Sequence, residues 1–168
     1  MDAESLKALQ APLKAQYRDM PARAVVTLRA ESTGSEGVAC SLSTHRGMIE
    51  AGLHPATGGS GLQACSGDML LEALVACAGV TLQAVATAFG VTLTKSRICA
   101  EGDLDFRGTL GVAKEAPVGF SDLRITFDIA ADAASETLAK IVSTTERYCV
   151  VLQTIQRPPN VQILTKSA

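Results

Sequence analysis

The order of hydrophobic patterns along the 168 residues predicts an α+β protein whose helices and strands are segregated. Three observations carry that prediction. A long run with helical periodicity, Met69 to Phe89, sits near the middle of the chain. Strand-like alternation rich in β-branched residues lies on both sides of it. A second periodic run, Ser135 to Ile155, follows the later strands. Antiparallel sheets packed around long central helices are the expected architecture. With 47% apolar residues one core suffices for this length, so residues 1–168 are read as a single domain, with 1–21 an N-terminal helical extension and 22–168 the core.

The elements follow in order. Ser5 to Tyr17 places Leu6, Leu9 and Leu13 at helical spacing, and Pro12 should bend or split that helix. Ala22 to Thr33 reads as a strand, "GSEG" as a turn, and "VACSLSTH" as the return strand of a hairpin. "MIEAGLHPATGGSG" holds a third short strand before a Gly-rich loop, whose missing side chains allow flexibility or close backbone approach. Ser66 or Asp68 caps the central helix, and Gly90 stops it. "TLTKSRICAEGDLDFRG" and "FSDLRITFDIA" form two antiparallel strands. Ser135 caps the last long helix, which sets Leu138, Val142, Thr145, Cys149 and Leu152 on one stripe. "RPPN" ends it, and "VQILTK" is a closing strand.

Composition narrows the function. The formal net charge is -2 and the basic residues form no long run, so nucleic acid is not an expected partner. Aromatic residues make up 4% with no Trp, too few for base-stacking platforms. No window of about 18 unbroken apolar residues and no basic-then-apolar leader pattern is present, so a cytoplasmic protein without membrane attachment is expected. The five cysteines, Cys40, Cys65, Cys77, Cys99 and Cys149, include no C-x-x-C pair, which argues against a disulfide framework and a tetrahedral metal site. No cofactor is expected.

Cys40, Cys65 and Cys99 read as packing residues, the usual role of a free thiol. Cys77 and Cys149 differ, because each faces inward from one of the two principal helices. Two such thiols meeting in the core would be redox chemistry awaiting an oxidant. "LVACAGVTLQAVA", Leu74 to Ala86, carries no charge and is apolar around its whole circumference, which calls for cover on every side, most easily by a second copy of the chain.

At "GDMLLEALVACAGVTLQAVA" (Gly67 to Ala86) and "TERYCVVLQTI" (Thr145 to Ile155) the chain resembles the OsmC/Ohr family of thiol-dependent hydroperoxide reductases. The likeness runs from about Ala24 to Lys166. It implies an OsmC-like fold, an intertwined homodimer with the site at the subunit interface, and reduction of organic hydroperoxides, with hydrogen peroxide a further substrate. By that resemblance Cys77 is the peroxidatic thiol and Cys149 the resolving one, with an external dithiol, of the dihydrolipoyl kind, as reductant.

Activation of Cys77 poses a quantitative question. A thiol of pKa near 8.5 is only about 3% ionised at neutral pH, and lowering it to about 6 takes roughly 3.4 kcal/mol. The dipole of its own helix supplies about 0.3–1 kcal/mol, and only within the first turn. An arginine at about 4 Å would supply roughly 4 kcal/mol, so a cation is expected. The resemblance implies an arginine from the early strands held by a carboxylate near the start of the central helix. Arg29 is favoured over Arg46 for the first, and Asp68 is the nearest equivalent of the second, with helix capping as its other reading. The family's Pro-Glu segment is Gly67-Asp68 here, and Val150 stands where many relatives have proline. Two alternatives stand beside the peroxidase: a non-catalytic OsmC-like small-molecule-binding or stress-related protein with structural core cysteines, and a cysteine hydrolase with His45 or His54 as base.

Overall fold

The computed structural model describes residues 1–44 and 47–166. The first helix, α1 (Ala3–Asp19), opens with the Asp2 carboxylate accepting the Ser5 N–H at 2.8 Å. It runs through Pro12 without splitting. Pro12 is exposed, so solvent can serve the carbonyl one turn back that proline leaves without a donor. No residue of α1 is buried.

The expected strand over 22–33 survives only at its end. Pro21–Ala24 is a 3-10 turn, and β1 is confined to Glu31–Gly34. A strand exists only where a ladder partner exists. Here β2 (Cys40–Thr44) pairs antiparallel with Glu31–Gly34 alone, leaving Val25, Val26 and Leu28 exposed at 82%, 70% and 90%. The hairpin turn and third strand match expectation: Ser35 N–H donates to Ala39 O at 3.0 Å, and β3 (Gly47–Ala51) pairs antiparallel with β2. In the Gly-rich loop, a side chain at Gly59 would collide with the Leu53 carbonyl, so close backbone approach is what that glycine provides.

The central helix α2 (Ser66–Ala88) starts earlier than its apolar periodicity suggests. Its N-cap is Cys65, with no side-chain capping bond, so neither Ser66 nor Asp68 caps it; both are already helical. At the far end Val91 N–H reaches Ala86 O and Gly90 N–H reaches Thr87 O, both at 2.9 Å, with Gly90 at φ +69°, the left-handed stop that glycine favours. By length and composition alone α2 could cross a membrane; in this fold it lies against a two-stranded sheet and three other helices.

That sheet joins β4 (Leu93–Leu104) and β5 (Phe120–Ala131) antiparallel, with Ile98 opposite Phe127 and Ala100 opposite Ile125. The connection between them contains one helical turn, α3 (Phe106–Thr109), capped by Asp105. The last helical run is divided into α4 (Ser135–Tyr148) and α5 (Val150–Gln156), with Ala134, not Ser135, at the first N-cap position. Two buried clusters hold α2 in place. Leu74 and Ala78 pack with Cys149 and Leu152, while Leu82, Val85 and Ala86 pack with Ile141.

One more expectation is corrected. "VQILTK" forms no strand, and Val161, Ile163 and Leu164 are 75%, 90% and 86% exposed, because no described strand edge runs beside it. The outer side of α2 is also left uncovered by the chain itself, with Val80 73% exposed. Replacing Leu82, which is fully buried, with alanine is expected to lower the unfolding free energy by about 2–5 kcal/mol, measured by urea denaturation.

Candidate active site

Cys77 lies in the middle of α2 and Cys149 at the junction of α4 and α5, and the fold brings the two sulfurs together. Cys149 is fully buried and Cys77 half-buried, both as free thiols. The junction is what makes the pair more than packing. At φ −72° and ψ 105° Cys149 is extended, so the helix breaks there and restarts at Val150. In an unbroken helix the Val150 and Val151 amides would bond to the carbonyls four residues back. The break frees them, since the first amides of a helix have no intrahelical acceptor. Both are among the groups that pull the Cys77 thiol down. The Gln153 side chain takes over the Glu146 carbonyl at 2.9 Å, closing the polar gap that the break opens.

The two thiols are consequently pushed apart in acidity. Burial pushes Cys77 up, but the Val151 amide, the Cys149 S–H, the Val150 amide and the Thr81 hydroxyl together outweigh it and hold the thiol below its ordinary range. Burial also pushes Cys149 up, and there it prevails: the Leu152 and Val151 amides pull the other way, while donation to Cys77 and the negative charge on that sulfur reinforce the rise. Cys77 is thus the more acidic of the two thiols and Cys149 the less acidic.

Among the described residues the expected cation is not one of the groups that lower Cys77. Hydrogen bonds to a charged acceptor contribute about 1.5–3 kcal/mol each, so two or three of them rival the roughly 4 kcal/mol of one nearby guanidinium. Within the chain Arg29 is 76% exposed and bonded to Glu31 at 2.6 Å, because the segment holding it finds no ladder partner and leaves the core. Arg46 and His45 lie outside the described residues. Asp68 stands nine residues before Cys77 on the same helix, about 13 Å along its axis. It lines a separate 330 Å³ cleft with His54, Cys65 and Asp103.

His54 is a loop residue of that cleft. Its Nδ1 accepts the Ala56 N–H at 3.0 Å and its ring stacks on Phe106, with centroids 4.8 Å apart. It does not act on Cys77, which removes it as the base of a hydrolase built on that thiol. Cys99 is exposed, on the face of β4 opposite the helices, so its reading as a packing residue is corrected too. Among the described residues no group of His, Cys, Asp and Glu side chains is placed to hold a metal ion. Sequence reasoning missed the two amides, which no side-chain pattern announces. Thr81 also lowers Cys77, and a hydroxyl four residues past a helical thiol is the signal that could have pointed to it.

Fold and site together define a class: an α+β protein with an asymmetric pair of thiols joined across its two principal helices. A model of the family described as OsmC-like protein matches residues 59–164, a span that holds both thiols, and the chain belongs to that family. Among solved structures it is similar to an OsmC-like protein from Mycoplasma pneumoniae, at 16% identity over 79% of this chain and 89% of that one, with a TM-score of 0.65. It is also similar to an organic hydroperoxide resistance protein from Elizabethkingia anophelis, at 14% identity over 80% and 91%, TM-score 0.59. A third is the organic hydroperoxide resistance protein OhrB of Bacillus subtilis, at 17% identity over 79% and 93%, TM-score 0.53. At these identities the likeness is one of fold. No curated protein matches the chain.

Val150→Pro tests the amide contribution. Cys149 is already extended, as a residue before proline must be, and proline is well suited to a first helical position. The substitution therefore removes one donor and keeps the break. In the parent protein iodoacetamide should label Cys77 at lower pH than Cys149. In the variant the Cys77 midpoint should rise by about one unit, read by peptide mapping.

Proposed function

We propose that the protein is a two-cysteine peroxidase that reduces organic hydroperoxides, and hydrogen peroxide as a smaller substrate, in a reducing cytoplasm. The observation that carries this reading is the packing of Cys77 against the core cluster that holds Cys149, with Cys77 held below and Cys149 pushed above the ordinary thiol range. Inert core thiols have no need of such an arrangement. The names of the Elizabethkingia and Bacillus relatives agree with it.

The chemistry proceeds in three steps. The Cys77 thiolate attacks the O–O bond; an S–O bond forms, and the departing alkoxide takes a proton to become an alcohol. Cys77 is then a sulfenic acid, oxidised by two electrons while the peroxide is reduced. The Cys149 sulfur attacks it, its proton leaves with the hydroxyl as water, and a Cys77–Cys149 disulfide forms. An external dithiol, such as a dihydrolipoyl group, exchanges with that disulfide and returns both thiols. Because Cys149 already contacts Cys77, the second step requires little rearrangement.

Cys77→Ser should abolish consumption of cumene hydroperoxide. Cys149→Ser should stop after one turnover with a trappable sulfenic acid on Cys77. Wild-type protein given one equivalent of peroxide should lose two hydrogens and show a Cys77–Cys149 crosslink by mass spectrometry. Undiminished turnover by Cys77→Ser would end the proposal.

The working unit we propose is a homodimer. Val25, Leu28, Val80, Val161, Ile163 and Leu164 are all at least 70% exposed, an apolar surface beyond what isolated chains usually leave open. Two of these stretches have strand patterns without strand partners, which a second copy would supply. Light scattering at micromolar concentration should report a dimer, and Ile163→Glu combined with Leu164→Asp should shift it toward monomer.

A further inference from the structure

The break at Cys149 leaves one backbone carbonyl open to competing donors. α4 makes its last backbone bond from the Cys149 N–H to Thr145 O at 2.9 Å, and α5 makes its first from the Gln153 N–H to Cys149 O, also at 2.9 Å. In a continuous helix the Glu146 carbonyl would take the Val150 N–H, four residues on. It takes the Gln153 side chain instead, whose Nε2 donates to it at 2.9 Å. Gln153 therefore grips both sides of the corner, with its backbone bonded to Cys149 and its side chain to the last turn of α4. Among the described residues this is the one side-chain hydrogen bond that joins α4 to α5. The same Nε2 also donates to Gln156 Oε1 at 3.5 Å, within α5.

We propose that Gln153 is a positioning residue: by occupying the Glu146 carbonyl it holds the α4–α5 corner open and keeps the Cys149 thiol in the cluster against which Cys77 packs. This rests on the peroxidase reading, in which Cys149 must close a bond to Cys77. Two donors compete for a single acceptor. Removing the Gln153 amide frees the carbonyl, and the Val150 N–H is the donor that helix geometry supplies in its place. Making that bond takes the Cys149 ψ from 105° to the helical value near −42°, which re-aims every residue that follows. The packing of Leu152 and Ile155 in the same cluster resists the swing, so the loss is expected as a partial shift of the corner and not as unfolding.

The test compares wild type with Gln153→Met and Gln153→Lys as full-length reduced proteins. Methionine keeps the length and helix propensity of glutamine and has no donor; lysine puts a donor back on a stem one atom longer. Each protein is given one equivalent of cumene hydroperoxide in the presence of dimedone, and mass spectrometry compares the Cys77 dimedone adduct with the Cys77–Cys149 crosslink. That ratio sets trapping against closure and does not depend on how fast the sulfenic acid forms. Gln153→Met should raise it roughly fivefold, the equivalent of one neutral hydrogen bond, and Gln153→Lys should stay within about twofold of wild type. The equilibrium of the Cys77–Cys149 disulfide against a glutathione buffer should likewise move about fivefold toward the dithiol in Gln153→Met alone. A Gln153→Met protein that loses stability to urea yet keeps the wild-type ratio and equilibrium would overturn the proposal, as would Gln153→Lys values displaced as far as those of Gln153→Met. The glutathione measurement needs no hydroperoxide. A donor-dependent equilibrium in a protein that forms neither adduct nor crosslink with hydroperoxide would overturn the peroxidase reading while supporting Gln153 as the residue that sets the corner.

Discussion

The break at Cys149 is the constraint on which the site depends. One residue leaves the helical conformation, and two amides that would have closed intrahelical bonds are left to favour the anion on a sulfur of another helix. The same residue supplies the neighbouring thiol. A continuous helix through Cys149 would still bring a cysteine to the core, but it would withhold the amide donors and leave Cys77 with burial as its main influence, which disfavours the thiolate. Gln153, by serving the Glu146 carbonyl, keeps the break from exposing an unpaired acceptor.

The rest of the fold makes that contact precise. Cys149 is itself a core residue, packed with Leu74, Ala78 and Leu152 and backed by the inner face of the two-stranded sheet. Reactive chemistry and packing therefore share an element: whatever displaces α5 from α2 removes both the resolving thiol and the donors. The second cluster, built on Leu82 and Ile141, anchors α4 independently, and the buried Thr145, with its hydroxyl returned to Ile141 O at 2.8 Å, lies between the two. The sulfurs thus sit where two rigid helices cross, the arrangement that preorganised chemistry requires.

A thiolate held by uncharged donors differs from one held by a cation. Neutral donors in a partly desolvated place act at close range, where salt screening is weak. This offers a physical account of two departures from the resembling family. Valine instead of proline at position 150 retains an amide hydrogen that proline would lack, and that amide is one of the donors. The arginine sought on the early strand is at the surface with Glu31, where it exerts no hold on the sulfur within the chain.

Helical and strand periodicity, which depend on neighbours three, four or two residues away, were enough to locate the central helix, the β4–β5 pair, the short hairpin and the inward faces bearing Cys77 and Cys149. Such signals are local, and the residues carrying them lie within one element. What the tertiary structure decided were matters of partnership. Ala22 to Thr33 and "VQILTK" have strand composition, yet strand formation depends on a second edge that lies elsewhere, and only Glu31–Gly34 found one. A cation was expected on electrostatic need and Arg29 from the family resemblance, and its position within the chain followed from that missing ladder. The helix break and its amides belong to the backbone, which every residue carries alike, so no pattern of side chains could have revealed that the anion would be held there.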